Sequence, residues 1–323
     1  MLAVAALAGC AKEETISLNK GEVISFNNSF IDNATRAAID GSNTTANLTS
    51  FYVYGAVETT TNDVYTNIFD GVEVTKEKKN GTDIGAAAGD TTPATWWYAA
   101  DKVQYWIDGK DYKFAAVVDG TVTAKDAAGM PTELTVDAEA QKDLLYATSD
   151  ADSGPVAFTF AHLMSKVKFT ANVATMASAY SYRVKNITIN DVATTGVYTI
   201  GATTPWAASG EYDPSFGNIV SASNADGGTL AVLKSDNPGE SNWSRLMVPQ
   251  DITSISFTVE LYKGDACIDS TPKNITLTGS DIITLEAGHA YSFNIGLDVP
   301  GTPIMFSMNE VTTWDETGGD KPL

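Results

Sequence analysis

One stretch near the middle of the chain decides the fold: Val156-Ala157-Phe158-Thr159-Phe160-Ala161-His162-Leu163-Met164-Ser165-Lys166-Val167-Lys168-Phe169. Its first part has an apolar residue at every second position from Val156, and the same spacing returns at Val167 after a short break. Successive side chains of a β-strand point to opposite faces, so this spacing predicts two strands that each bury one face. We therefore place strands at Ala157–Phe160 and Val167–Val173, with a domain boundary at Leu163–Lys166.

Short runs with the same spacing recur along the rest of the chain, separated by clusters of Gly, Asn, Asp and Pro. Two polar segments, Asp40–Thr49 and Lys76–Thr92, are predicted to be loops, and Asp137–Ala147 is predicted to hold one short helical turn. Many short strands with few helices are typical of sandwiches and barrels, so the sequence predicts an all-β chain. The further predicted strands are Val23–Phe30, Phe51–Val57, Tyr112–Val118, Val184–Ile189, Ile255–Leu261, Asn274–Thr278, His289–Leu297 and Ile304–Met308.

The length of the chain and its net charge limit the number of domains and the kinds of partner it can have. The chain has 323 residues, which suits two domains at about 100–200 residues each. Its 40 acidic and 20 basic residues give a net charge of −20, and no basic run interrupts this excess. Such a chain repels nucleic acid and anionic lipid head groups, so nucleic-acid binding is not expected. We interpret the acidity as a means of keeping a surface protein soluble.

Residues 1–10 form an uncharged apolar run that ends in Leu7-Ala8-Gly9-Cys10. Bacterial lipoprotein signal peptides have this pattern before the cysteine that receives a diacylglyceryl group, and cleavage would make Cys10 the new N-terminus. The run lacks a basic leader, so we interpret residues 1–10 as a truncated signal peptide. The prediction is a surface-exposed lipoprotein of the outer membrane. Lys12-Glu13-Glu14 fits either a solvated tether or a short acidic export signal.

The remaining reactive side chains do not form a recognisable catalytic motif. Cys267 is the only other cysteine, so no disulfide is expected within the mature chain, and its apolar neighbours predict a buried position. His162 and His289 are expected at strand ends with backbone partners. Asp150-Ala151-Asp152-Ser153-Gly154 lacks the distal Glu of a calcium loop, because position 161 is Ala. We therefore expect no enzyme activity, no cofactor and no metal.

A succession of local patterns resembles the fimbrillin, or type V pilin, family of Bacteroidia-type bacteria, and in particular its Mfa-like lipoproteins. The resemblance spans nearly the whole chain and lies in the order of the patterns, since each alone is a strand with a turn. In chain order the patterns are Ile24-Ser25-Phe26, Thr35-Arg36-Ala37, Trp106 with Tyr112-Lys113-Phe114-Ala115-Ala116, Asp143-Leu144-Leu145-Tyr146-Ala147, the stretch Val156–Phe169, Gly288-His289-Ala290-Tyr291-Ser292-Phe293, and Trp314.

The resemblance implies two transthyretin-like β-sandwich domains in tandem, here residues 37–163 and 164–323. It also implies a lipidated precursor whose N-terminal strand is removed by an Arg-specific surface protease. Carried onto this sequence, the cut falls between Arg36 and Ala37 and releases residues 11–36. Arg36 lies among small residues, whereas Arg183 and Arg245 adjoin predicted strands, which resist proteolysis.

In the family, a strand from the C-terminal region of another subunit replaces the removed strand. The corresponding segment here is residues 304–314, either as a donor strand or as the last strand of its own domain. This alternative decides between a stalk and a tip subunit and stays open. The partners implied are other pilus subunits, the same or different, and a host or bacterial surface ligand, with the protein in the fimbrium after processing. The donor positions are Ile304, Phe306, Met308, Val311 and Trp314.

A second interpretation is a cell-surface lipoprotein that binds glycans. Trp96, Trp97 and Trp106 lie close together in the sequence with Tyr98, and exposed aromatic rings could form a platform for sugar rings. Because the cores of sandwiches also need aromatic side chains, burial of these residues would argue against the platform.

Overall fold

The computed structural model describes nine stretches of the chain. They are residues 21–27, 30–31, 48–60, 63–85, 96–173, 180–220, 228–230, 244–297 and 305–311.

The described residues form 21 β-strands and two 3-10 turns, so the prediction of an all-β chain is confirmed. The 3-10 turns are Ala100–Lys102 and Gly279–Asp281. The strands are β1 (Phe30–Ile31), β2 (Ser50–Thr60), β3 (Val64–Thr75), β4 (Tyr112–Val118), β5 (Thr121–Lys125), β6 (Pro131–Asp137), β7 (Leu145–Ser149), β8 (Thr159–His162), β9 (Ser165–Val173), β10 (Tyr180–Ile189), β11 (Thr195–Thr199), β12 (Trp206–Ser209), β13 (Ile219–Val220), β14 (Gly228–Leu230), β15 (Ser244–Met247), β16 (Asp251–Ile252), β17 (Ser254–Lys263), β18 (Ala266–Thr276), β19 (Ile283–Thr284), β20 (Ala290–Leu297) and β21 (Met305–Val311).

The first half of the chain forms a six-stranded sheet with the order β1-β8-β7-β4-β2-β3. Its neighbours pair antiparallel, except that β1 runs parallel to β8 with Phe30 opposite Thr159. An aromatic core packs against this sheet, and its largest fully buried members include Phe51, Phe69, Phe114 and Phe158. The short strand β1 is therefore the edge strand beside β8.

Two sheets of the second half pack together through one apolar core. One has the order β14-β9-β20-β21, with β15 also paired to β9, and the other has the order β13-β10-β17-β18. Along β17 every second side chain is buried, from Ile255 to Leu261. These side chains meet Phe169 of β9 and Phe293 of β20 in the same cluster. Burial on facing sheets is the arrangement of a β-sandwich.

A four-stranded sheet joins the two halves of the sequence. Its order is β12-β11-β6-β5, and the central pair places Gly196 of β11 opposite Val136 of β6. A third apolar cluster adjoins this sheet and includes Leu134, Leu163 and Leu246. The chain changes sheets between β8 and β9, where the boundary was predicted, but strands from both sides share this sheet. Two tandem domains split at Leu163 therefore stay a prediction.

Several sequence predictions differ from the structure in detail. Val23–Phe30 is not one continuous strand: isolated bridges occur at Val23 and Phe26, and β1 begins at Phe30. Residues 138–141 form a chain-reversing turn and not the short piece of helix that was predicted for Asp137–Ala147. The long strand β3 was not predicted, because Asn67, Asp70 and Gly71 interrupt its apolar pattern and its pairing with β2 shifts register around them. Polar residues at such irregularities hide a strand from a search for strict alternation.

Candidate functional site

The N-terminal segment, defined here as residues 21–27 together with β1, lies between two parts of the first half. On one side Ile24 N donates to Gln104 O at 2.9 Å, and Trp106 N donates to Glu22 O at 2.9 Å. On the other side Val156 N donates to Ser25 O at 2.7 Å, and Asn27 N donates to Val156 O at 3.0 Å. The segment is thus antiparallel to residues 104–106 and parallel to the chain that leads into β8.

Two side chains of the N-terminal segment enter the aromatic core. Ile24 is 0% exposed and Phe26 is 1% exposed. The Phe26 ring lies 5.6 Å from Tyr98, 5.7 Å from Phe69 and 6.1 Å from Phe158, measured between ring centroids. Most of these contacts are edge-to-face, an arrangement that aromatic pairs favour. The segment is therefore part of the core, and its backbone is paired on both sides.

One buried hydrogen bond fixes the backbone of the segment from the side of the core. Tyr98 Oη donates to Ile24 O at 2.6 Å. Burial raises the pKa of the Tyr98 hydroxyl far above its usual value, so this group stays protonated as a donor. No local pattern near Tyr98 predicts this contact, because its partner lies 74 residues away in the sequence.

Gly21 marks the start of the segment and has no room for a side chain. A Cβ atom at this position would lie 2.0 Å from Trp106 O, which belongs to the backbone and cannot rotate away. The backbone at Trp106 is itself held in place, because its N–H donates to Glu22 O. Only glycine fits this close approach of two backbones. In the sequence, the one sign of this constraint is that Gly21 stands directly before an alternating run.

The predicted lipidation and cleavage residues, Cys10, Arg36 and Ala37, lie outside the described residues. The two competing arginines lie in strands. Arg183, in β10, stacks over the ring of Tyr262 at 4.0 Å, and Arg245, in β15, donates from Nε to Ser215 O at 2.9 Å. Both are thus engaged in folded structure.

The predicted donor segment forms the edge strand β21. It pairs antiparallel with β20, placing Phe306 opposite Ile295, Met308 opposite Phe293 and Val311 opposite Ala290. In the described sheet β20 is its one neighbour. The segment is thus held as the last strand of its own sheet, and donation would require it to leave β20. Ile304 and Trp314 lie outside the described residues.

The tryptophans of the predicted aromatic platform do not form an exposed face. Trp96 is 1% exposed and packs at 4.7 Å on Phe51, and Trp106 is 6% exposed and packs at 4.7 Å on Tyr112. Trp97 is half-buried, with Lys78 Nζ 4.7 Å from its ring centroid. A platform needs ring faces open to solvent, which Trp96 and Trp106 do not offer.

The reactive side chains differ in part from their predicted environments. Cys267 is exposed on β18, so the prediction of burial is wrong: the edge strand of that sheet turns this position to solvent. His289 Nδ1 is 2.9 Å from Ala287 O, a backbone partner as expected, whereas His162 Nδ1 is 2.9 Å from the carboxylate Oδ2 of buried Asp143.

Within the described residues, no group of three or more His, Cys, Asp or Glu side chains lies close enough together to hold a metal ion. The same part of the chain has no helix with the length and hydropathy to span a membrane.

Comparison with known proteins identifies the family. The Fimbrillin-like family model matches residues 35–314. The crystal structure of a fimbrial protein from Bacteroides vulgatus has a TM-score of 0.58 and 14% identity, covering 91% of this chain and 100% of that one. A fimbrial assembly protein from Parabacteroides distasonis has a TM-score of 0.37 and 11% identity, covering 81% and 88%. No curated protein matches the sequence. Because the family model covers most of its length, the chain belongs to the fimbrillin-like family.

Proposed function

We propose that this protein is a pilus subunit that is exported as a lipoprotein on Cys10, cut after Arg36, and assembled by strand exchange to mediate adhesion. The observation that carries the proposal is the position of the N-terminal segment. It pairs with residues 104–106 on one side and with the chain leading into β8 on the other, it has two fully buried side chains, and it precedes the proposed cut in the sequence.

Removal of the segment would open both the sheet and the core. The carbonyl and amide groups of Gln104, Trp106 and Val156 would lose the partners that the segment provides. The space left by Ile24 and Phe26 would expose apolar surface. Burial of a large apolar side chain in that space would contribute about 1.5–3 kcal/mol. An open edge next to exposed apolar surface binds another strand readily.

The C-terminal strand β21 supports the second half of the proposal. It lies at an edge, so leaving its sheet breaks the pairing with β20 and no other described pairing. Another pilus subunit, either a second copy or a different chain, would supply or receive this strand. The lipid on Cys10 would deliver the subunit to the outer membrane, and the cut after Arg36 would release it from that anchor.

The proposal is tested by digesting the purified protein with an Arg-specific protease. The chain has three arginines, and we expect the cut at Arg36, because Arg183 and Arg245 are engaged in strands. The expected product lacks the N-terminal segment and forms a ladder of oligomers on a gel run without boiling. Arg36→Ala is the matched control and should stay uncut and monomeric.

The result also separates the subunit types. A ladder identifies a stalk subunit that accepts and donates strands. Cleavage at Arg36 that leaves only monomer contradicts self-assembly and favours a tip or accessory subunit with a different partner. Cleavage at Arg183 or Arg245 in preference to Arg36 contradicts the proposed processing site.

A further inference from the structure

Residues 301–306, which lead into the predicted donor strand, repeat the sequence pattern of the N-terminal segment. We infer from this repeat the register of strand exchange. The N-terminal segment has Gly21-Glu22-Val23-Ile24-Ser25-Phe26, and the C-terminal region has Gly301-Thr302-Pro303-Ile304-Met305-Phe306. Both follow the pattern Gly-x-x-Ile-x-Phe. The inference rests on the proposed function: residues 301–306 of a second copy take the places of residues 21–26, in the same direction.

Each shared residue occupies a position that the structure restricts. Position 21 accepts only glycine, because a Cβ atom there would lie 2.0 Å from Trp106 O. Positions 24 and 26 are buried in the aromatic core and hold an aliphatic and an aromatic side chain. Gly301, Ile304 and Phe306 meet these three requirements at the same spacing.

Proline at position 303 is compatible with the backbone bonds of the groove. Val23 forms an antiparallel bridge with Tyr105, and the hydrogen bonds on either side of the bridge use Ile24 N and Glu22 O. In such a pair the two bridged residues do not bond to each other, so the N–H of position 23 is not needed by residues 104–106. Pro303 therefore removes none of these bonds.

Other registers conflict with the same three positions. A shift of two residues that puts Phe306 at position 24 puts Pro303 at position 21, where its Cβ would clash with Trp106 O. The opposite shift puts Thr302 in the fully buried place of Ile24. Shifts by an odd number of residues turn the apolar side chains to the other face.

The largest adjustment in this register falls at position 25, where Met305 replaces Ser25. Ser25 is buried, so the longer side chain must find room among its neighbours. Methionine is unbranched and flexible and fills irregular spaces well. The remaining exchanges, Thr302 for Glu22 and Pro303 for Val23, fall at exposed and half-buried positions.

A disulfide between two chains tests the register. One protein carries Tyr105→Cys and the other Pro303→Cys, both with Cys10→Ser and Cys267→Ser, and the two are mixed after cleavage and oxidised. In the inferred register residues 105 and 303 face each other at a Cα distance of about 4.5 Å, which suits a disulfide. We expect a cross-linked dimer with Pro303→Cys and at least tenfold less with Met305→Cys, which reports a shift of two residues.

The outcomes separate the register from the proposed function. If the cut chains form oligomers but cross-link better through Met305→Cys, the register is overturned and strand exchange stands. If the cut chains form no oligomers, strand exchange fails and the register fails with it. Cross-linking without cleavage contradicts both, because the N-terminal segment still occupies the groove.

A second pair of variants tests the glycine requirement without a new cysteine. Gly301→Ala should abolish the oligomer ladder, whereas Thr302→Ala, at the position of exposed Glu22, should leave it unchanged. Circular dichroism melting of each uncut variant checks that the monomer folds as before. A ladder of normal length from Gly301→Ala overturns the register.

Discussion

The hydroxyl of Tyr98 donates a hydrogen bond of 2.6 Å to the carbonyl oxygen of Ile24 in the interior of the first half. This bond joins the N-terminal segment to Tyr98, which follows the proposed cut in the sequence. A buried carbonyl that loses its partner costs about 1–3 kcal/mol. Tyr98 would thus hold the segment before cleavage and present an unpaired donor after the segment leaves.

Tyr98→Phe should weaken the hold on the N-terminal segment. The ring and its contacts with Phe26 and Phe69 are kept, and the hydroxyl's bonds to Ile24 O and to the backbone of Gln104 are lost. We expect the free energy of unfolding to fall by about 1–3 kcal/mol, and the cut peptide to dissociate faster. Urea unfolding and the rate of peptide release after cleavage measure the two effects.

Tyr212→Phe is the matched control for this variant. Tyr212 is half-buried, but its hydroxyl is buried and has no hydrogen-bond partner in the described structure. Removing that hydroxyl should leave stability unchanged or raise it slightly, since an unpaired buried polar group is removed. Equal destabilisation by both variants would contradict a specific role of the bond between Tyr98 and Ile24.

Stability should fall in alkaline solution because of buried tyrosines. Burial raises the pKa of Tyr98, and it raises the pKa of both Tyr146 and Tyr212 to about 12. Below pH 10 these groups are protonated in the folded and unfolded chains, so the full stability is present. Above pH 10 the unfolded chain loses protons first, and unfolding becomes easier.

Each buried tyrosine should lower the free energy of unfolding by roughly 1 kcal/mol between pH 9 and pH 11. Urea unfolding at the two pH values measures the loss. Tyr98→Phe should show a smaller difference between the two pH values than the unmodified chain. The same difference in both proteins would mean that Tyr98 does not stay protonated in the folded state.

Phe26→Ala should destabilise the uncut protein far more than Glu22→Ala. The Phe26 side chain fills a site surrounded by aromatic rings, and such truncations cost about 3–5 kcal/mol. Glu22 is exposed and contributes its backbone carbonyl, which alanine keeps. Thermal unfolding compares the two. Similar melting temperatures would mean that the segment contributes little to the core.

The sequence predicted the strands whose alternation is regular and missed those where it is interrupted. β4, β9, β10, β17 and β20 lie where the spacing of apolar residues placed them. β5, β6 and β11 were missed because Thr, Gly and Lys dilute their pattern. Their pairing across the middle of the chain could not be predicted either, since period-two spacing says which face is buried but not which strand lies next to it.

The site was predictable to a smaller extent. The predicted strand Val23–Phe30 contains Ile24 and Phe26, and both are buried. The bond from Tyr98 and the contact of Gly21 with Trp106 are long-range and depend on how the backbone crosses the core, which no local pattern encodes. Cys267 was misjudged because its apolar neighbours suggested a core strand, whereas β18 is an exposed edge.

Cys267 should react with thiol reagents in the folded protein. Its thiol lies on the exposed edge strand β18, with Sγ 3.3 Å from Asp269 O. Labelling with a maleimide should reach one thiol per processed chain without denaturant, and Cys267→Ser should change the free energy of unfolding by less than about 0.5 kcal/mol. Labelling only after addition of urea would mean that β18 is covered in solution, for instance by a second copy.

The side chain of Gln141 links the two halves of the sequence by hydrogen bonds, and we expect this link, called the clamp below, to stabilise the fold. Its side-chain Nε2 donates to Leu246 O at 3.0 Å, and its Oε1 accepts from Leu246 N at 3.0 Å. The amide thereby satisfies both backbone groups of one residue in β15, much as a neighbouring strand would. The backbone turn that aims it has a φ of 52° at Gln141, in the left-handed region.

Gln141→Ala removes both bonds to Leu246, so the N–H and C=O groups of Leu246 lose these side-chain partners. At about 1–3 kcal/mol for each buried group, the free energy of unfolding should fall by roughly 2–4 kcal/mol. Gln141→Glu keeps the acceptor for Leu246 N but places a carboxylate oxygen against Leu246 O, so it should not rescue the loss. Lys142→Ala, at the adjacent exposed position, is the control. If Gln141→Ala unfolds like the control, the shared sheet and its apolar cluster hold the halves together without the clamp.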